Sequence, residues 1–78
     1  MKVEIKLFAG LRKYSSHERA EPVILDIPRG SAVGDILALL EIPQDIKKII
    51  FVNGVHGAEE TQLNEHDRVG IFPPVAGG

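Results

Sequence analysis

Seventy-eight residues suffice for one domain, and a chain this short buries a small share of its surface, so its stability is marginal and it has little material for a deep catalytic cleft. At 44% hydrophobic and 26% charged residues the composition is that of a folded globule rather than a disordered chain, and the absence of cysteine excludes disulfides, thiolate metal sites and a cysteine nucleophile. The net charge of -2, with Lys and Arg scattered from Lys2 to Arg68, leaves no phosphate-binding stripe, so nucleic acid is not an expected partner.

Val3, Ile5 and Leu7 alternate with Lys2, Glu4 and Lys6, which predicts a strand with one buried face, carried by Phe8 and Ala9 to Gly10. Leu11-Arg12-Lys13-Tyr14 reads as a helical turn, and Ser15-Ser16-His17-Glu18-Arg19 as an exposed loop with no apolar period. Glu21 to Ile27 favours a second strand, with Val23, Leu25 and Ile27 on one face and prolines at its margins. After the Arg29-Gly30 turn, Ser31 is the expected helix cap. Asp35 suits the first helical turn, and Val33, Ile36, Leu37 and Leu40 form one buried stripe ending near Glu41, because Pro43 disfavours helical geometry at Ile42.

Ile49-Ile50-Phe51-Val52 is a short apolar run of strand formers, expected in the core, and Asn53-Gly54 is a two-residue hairpin signal. Leu63 is expected to plug the core from a turn, and Asn64-Glu65-His66-Asp67 to make a polar corner before a last strand, Arg68 to Phe72. One amphipathic helix needs one sheet face to cover it. The elements therefore predict an α+β fold, a mixed four- to five-stranded sheet on one main helix with the two end strands parallel at its centre. The domain is expected to occupy residues 1–74 and a reactive tail residues 75–78.

No apolar run approaches the roughly 20 residues that cross a bilayer, and Met1-Lys2-Val3-Glu4 alternates where a signal peptide would be continuously apolar. The expected location is the cytoplasm, with no membrane partner. His17, His56 and His66 have no metal-pair spacing, so no metal is expected; Glu59-Glu60 and Glu65 with Asp67 read as solvated acids in turns, and Ser15-Ser16 with His17 as a loop rather than a triad. No phosphate-binding loop or Gly-rich dinucleotide motif occurs, so no cofactor is expected to be bound and any ATP belongs to a partner.

The end of the chain is different. After Arg68 no charged side chain occurs, Pro73-Pro74 stops the last strand, and Val75-Ala76-Gly77-Gly78 follows. A proline pair favours an extended path, and four residues span roughly 13 Å, enough to enter another protein's active site. Two glycines fit a channel scarcely wider than the backbone and present an unhindered carboxylate. That carboxylate is an acyl donor only once activated. As a mixed anhydride with AMP it would accept sulfur from a persulfide or sulfide, leaving a thiocarboxylate on a chain that has no cysteine. Gly-Gly alone also arises by chance at frayed chain ends.

Ile5-Lys6-Leu7-Phe8-Ala9-Gly10-Leu11-Arg12, Val52-Asn53-Gly54, Leu63 with Asp67-Arg68-Val69, and above all Phe72-Pro73-Pro74-Val75-Ala76-Gly77-Gly78 together resemble the small subunit of molybdopterin synthase and its relatives, the thiamine-type sulfur carriers. The resemblance implies the ubiquitin-like β-grasp fold and a carrier that is not itself an enzyme. It further implies a thiocarboxylate on Gly78, passage of Gly77 and Ala76 through a partner's channel, and partner contacts at Phe72, Pro73, Pro74 and Val75. The implied partners are an adenylating enzyme of the ubiquitin-activating type, a sulfur donor and the large subunit of molybdopterin synthase. Thiamine synthesis or tRNA thiolation are alternative destinations for the sulfur. A ubiquitin-like protein modifier and a plain interaction module with an incidental tail are the other readings.

Overall fold

The computed structural model describes residues 1–14 and 22–74. In chain order these form β1 (Lys2–Leu7), a 3-10 helix (Ala9–Tyr14), β2 (Val23–Asp26), α1 (Val33–Leu39), β3 (Ile49–Val52), β4 (Val55–Gly57) and β5 (Arg68–Phe72). Among the described residues the sheet has five strands in the order β2-β1-β5-β3-β4. The two end strands lie together at its middle and run parallel, Ile5 beside Val69 and Leu7 beside Ile71; the other neighbours are antiparallel. This is the mixed sheet on one helix that the sequence predicts.

The period-two pattern of the strands decides which face α1 covers. Val3, Ile5 and Leu7 of β1, Val69 and Ile71 of β5 and Ile50 of β3 are buried, and so are Val33, Ile36 and Leu37 of the helix. Leu11, Ile27, Ile42 and Leu63 close the ends of this layer, so Leu63 is the plug its position suggested. Burying one such side chain contributes roughly 1.5–3 kcal/mol, which makes this layer the main source of stability in so small a domain.

Both ends of α1 differ from expectation. Ala32, not Ser31, is the N-cap, because the Ser31 hydroxyl donates to the Pro28 carbonyl at 2.7 Å while the Asp35 carboxylate accepts the Ala32 N–H at 2.8 Å. The next free helix donors, Val33 N–H and Gly34 N–H, are taken by the carbonyls of Thr61 (3.0 Å) and Glu59 (2.9 Å), so a loop completes what a capping side chain would do. At the other end the helix stops at Leu39, earlier than Pro43 requires. Glu41 adopts a left-handed φ of 57°, and Ile42 N–H and Glu41 N–H return to Leu37 and Ala38 carbonyls, the hydrogen-bond pattern of a Schellman turn with a glutamate where glycine is usual.

Asn53 and Gly54 both have positive φ, 53° and 81°, the type I′ geometry that joins β3 to β4. β2 is shorter than the expected span from Glu21 to Ile27 and covers Val23–Asp26, with Ile27 buried just beyond it. The polar loop expected over Ser15 to Arg19, including His17, lies outside the described residues. Among the described residues no helix is long and apolar enough to cross a membrane.

Candidate functional site

β5 ends at Phe72, as the following Pro73-Pro74 requires, and its parallel pairing with β1 brings that end beside Phe8. Phe8 N–H donates to the Ile71 carbonyl at 3.1 Å, which ties the two strand ends together. Because Val69 and Ile71 point at the helix, Arg68, Gly70 and Phe72 point to the opposite, uncovered face of the sheet. Glu4 and Lys6 share that face from β1, Ile49 and Phe51 from β3 and His56 from β4.

Three half-buried rings meet there. Phe8 and Phe72 stack with centroids 4.0 Å apart and planes 8° from parallel, and Phe51 meets Phe72 edge-on at 5.6 Å and 87°. His56 stands edge-on to Phe51 at 5.7 Å, and the Lys6 ammonium lies 5.2 Å from the centre of the Phe8 ring. The aromatic cluster fixes Phe72 from two sides. Phe72 is therefore an anchored residue, Pro73 is half-buried and Pro74 exposed. Val75, Ala76, Gly77 and Gly78 lie outside the described residues.

The apolar run Ile49-Ile50-Phe51-Val52 was expected to be core and is instead divided between the two faces. Ile50 is buried under α1 and Val52 packs against that core, whereas Ile49 and Phe51 lie on the open face. Sequence reasoning also missed Phe8 as a partner of Phe72. The available signal was the shared parity of Lys6 and Phe8 on one strand and Gly70 and Phe72 on another, meaningful only once those strands are paired.

The other polar candidates serve the fold. The Glu65 carboxylate accepts the Lys2 N–H at 2.7 Å, and that hydrogen bond holds its carboxyl below the ordinary glutamate range against a smaller opposing effect of desolvation. Asp67 is buried and holds the turn between β3 and β4. Glu59 lends its backbone carbonyl to the helix. Among the described residues no three His, Asp or Glu side chains converge on a site for a metal ion. The exposed face thus carries the stacked aromatic cluster with charged side chains beside it.

The pattern of the ThiS family matches residues 5–78, from β1 through the last glycine. The chain belongs to the ThiS family. It is a small ubiquitin-like sulfur carrier or modifier domain, and its fold is the ubiquitin-like β-grasp. Subunit 1 of a molybdopterin converting factor from Pyrococcus furiosus, so assigned, is 26% identical over 95% of this chain and 98% of that chain, with a TM-score of 0.74. Small archaeal modifier protein 1 from Methanosarcina acetivorans is 27% identical over 99% of this chain and 96% of that one, with a TM-score of 0.68. The complex of subunits 1 and 2 of molybdopterin-converting factor from Helicobacter pylori contains a chain 21% identical, aligned over 100% of both, with a TM-score of 0.64, a likeness of fold. Among curated proteins none matches the chain by sequence.

Proposed function

We propose that this ThiS-family domain carries sulfur on Gly78 for the synthesis of molybdopterin. The observation that supports the reading best is the anchoring of Phe72 in an aromatic cluster at the end of the central strand, immediately before Pro73-Pro74-Val75-Ala76-Gly77-Gly78. An anchored start and a proline-directed, side-chain-poor end suit a segment that must reach into a partner's active site while the domain docks beside it. In this reading Phe72, Pro73, Pro74 and Val75 contact the partner, and Ala76 and Gly77 thread its channel.

The chemistry follows from the carboxylate. An adenylating partner of the ubiquitin-activating type joins the Gly78 carboxylate to AMP and releases pyrophosphate. The terminal sulfur of a donor persulfide attacks the acyl carbon, and AMP leaves with the bonding electron pair. A second thiol of the donor then cleaves the resulting acyl disulfide, so that the donor is left oxidised and Gly78 ends in a thiocarboxylate. The large subunit of molybdopterin synthase receives that sulfur. ATP is the partner's substrate, and the carrier itself binds no cofactor and acts in the cytoplasm.

The test is mass spectrometry of the intact chain after incubation with ATP, the adenylating enzyme and a sulfur source. A gain equal to the oxygen-to-sulfur difference, located on Gly78, is expected; an unchanged mass in the presence of an enzyme competent on another carrier would overturn the proposal. The similarity to a small archaeal modifier protein supports a second reading, in which the same activated Gly78 is transferred to lysine amines. Conjugates in cell extract that disappear when Gly78 is deleted would favour it.

A further inference from the structure

An asparagine followed by glycine, as in Asn53-Gly54, is open to attack on its side chain by the backbone nitrogen that follows, because glycine puts no side chain in the path. Both residues are exposed, and a Cβ at Gly54 would have no neighbour within 4 Å among the described residues, so water and base reach the turn freely. What restrains Asn53 is a clamp. Its N–H donates to the Arg68 carbonyl at 2.8 Å, its side-chain amide donates to the buried Asp67 carboxylate, and its side-chain oxygen accepts the Arg68 N–H. Both ends of the side-chain amide are thus fixed by the corner before β5, and its carbon is not free to turn onto the Gly54 nitrogen.

We propose that Asn53 is a deamidation site that the Asp67-Arg68 corner keeps unreacted in the folded chain, and that its reaction releases the β3–β4 turn from β5. When the corner opens, the Gly54 nitrogen attacks Cγ of Asn53. The N–H proton goes to the leaving amide, ammonia departs, and a five-membered succinimide closes. Water then opens the ring at either carbonyl and leaves aspartate or isoaspartate. One water is consumed and one ammonia released, with no oxidant or enzyme required.

Either product replaces the donor that faces Asp67 with a carboxylate, and two carboxylates at that spacing repel. Isoaspartate also adds a carbon to the backbone of a two-residue turn whose register sets Val52 opposite Val55. Because Arg68 opens the strand that ends at Phe72, the damage falls on the element from which the tail leaves. The inference stands apart from the carrier reading, since it needs only the corner's geometry.

The test is peptide mass spectrometry of the wild-type chain kept in mildly alkaline buffer, with and without denaturing urea, following the amide-to-acid mass change at Asn53. Asn64, followed by Glu65, is the internal control. In urea Asn53 is expected to react and Asn64 to stay intact; in the folded chain the Asn53 rate should fall at least about tenfold. Asp67→Ala, or the isosteric Asp67→Asn if alanine does not fold, separates a local gate from global unfolding when set beside wild type brought to equal stability with a low concentration of urea. The variant is expected to react about tenfold faster than that wild type. No reaction of Asn53 in urea overturns the site, and equal rates for the variant and the equally stable wild type overturn the clamp. Asn53→Asp, a stand-in for the product, is expected to have a lower urea midpoint than the wild type; an unchanged midpoint overturns the release of the turn.

Discussion

The Asn53 side-chain amide donates to Oδ1 of Asp67 at 2.9 Å, joining the β3–β4 turn to the corner that precedes β5. The same two residues satisfy neighbouring backbone: Oδ2 of Asp67 accepts the Asn64 N–H at 2.7 Å, and Oδ1 of Asn53 accepts the Arg68 N–H at 2.9 Å. Asp67 is buried, so a lost partner is not simply replaced by water. Asp67→Ala removes two charge-assisted hydrogen bonds and is expected to lower stability by about 2–4 kcal/mol in urea denaturation. Wild-type stability in that variant would show that the corner is held by other contacts.

Glu41 occupies the left-handed position of the helix-ending turn with φ 57°. A side chain in that conformation costs about 1 kcal/mol relative to glycine, more than the extra chain entropy glycine loses on folding. Glu41→Gly is therefore expected to raise stability by about 0.5–1 kcal/mol, seen as a higher urea midpoint with the same slope. Because Glu41 is exposed, no loss of packing offsets the gain.

Much of this architecture is legible in local pattern. The alternation of Val3, Ile5 and Leu7 assigns the buried face of β1, Asn53-Gly54 announces its hairpin, and the apolar stripe Val33-Ile36-Leu37 marks the covered side of α1. What local pattern misses has a physical cause in each case. Ser31 has the side chain of a cap, but a nearer acceptor, the Pro28 carbonyl, takes its hydroxyl. Ile49-Ile50-Phe51-Val52 is apolar throughout, so no alternation tells which two residues face the helix. The cluster of Phe8, Phe51 and Phe72 draws on three segments far apart in sequence and exists only through the strand order β1-β5-β3. Gly70 likewise acquires its reason from the Phe8 and Phe72 rings, which cover the space a side chain there would take.

Glu65 links pH to stability. Its carboxyl is held below the ordinary glutamate value of about 4.3, first by the hydrogen bond from the Lys2 N–H, so folding favours the ionised form. The stability this contributes is fully present above that ordinary value and is lost as pH falls through the lowered one. Glu65→Gln should consequently be less stable than the wild type near neutral pH, with the difference closing in acid. Urea denaturation from about pH 7 to about pH 3 reads this directly; a difference independent of pH would show that the carboxylate charge contributes nothing.

Phe8 and Phe72 are expected to be energetically coupled as well as adjacent. Their rings are stacked at 4.0 Å, and Phe51 packs edge-on against Phe72 alone of the two, so removing Phe8 leaves Phe72 with one aromatic neighbour. Both are half-buried, so each alanine substitution should cost less than the roughly 3–5 kcal/mol typical of a fully buried phenylalanine. In a double-mutant cycle the second alanine should cost less than the first, with a coupling of about 0.5–1.5 kcal/mol, since the pair is lost once. Strict additivity would mean that the stack contributes no energy of its own. The same cycle read out as the carrier's KM in ATP–pyrophosphate exchange by the adenylating partner separates anchoring from simple contact. If Phe8 acts by holding Phe72 where the tail begins, Phe8→Ala raises KM in the wild type and has little further effect once Phe72 is alanine.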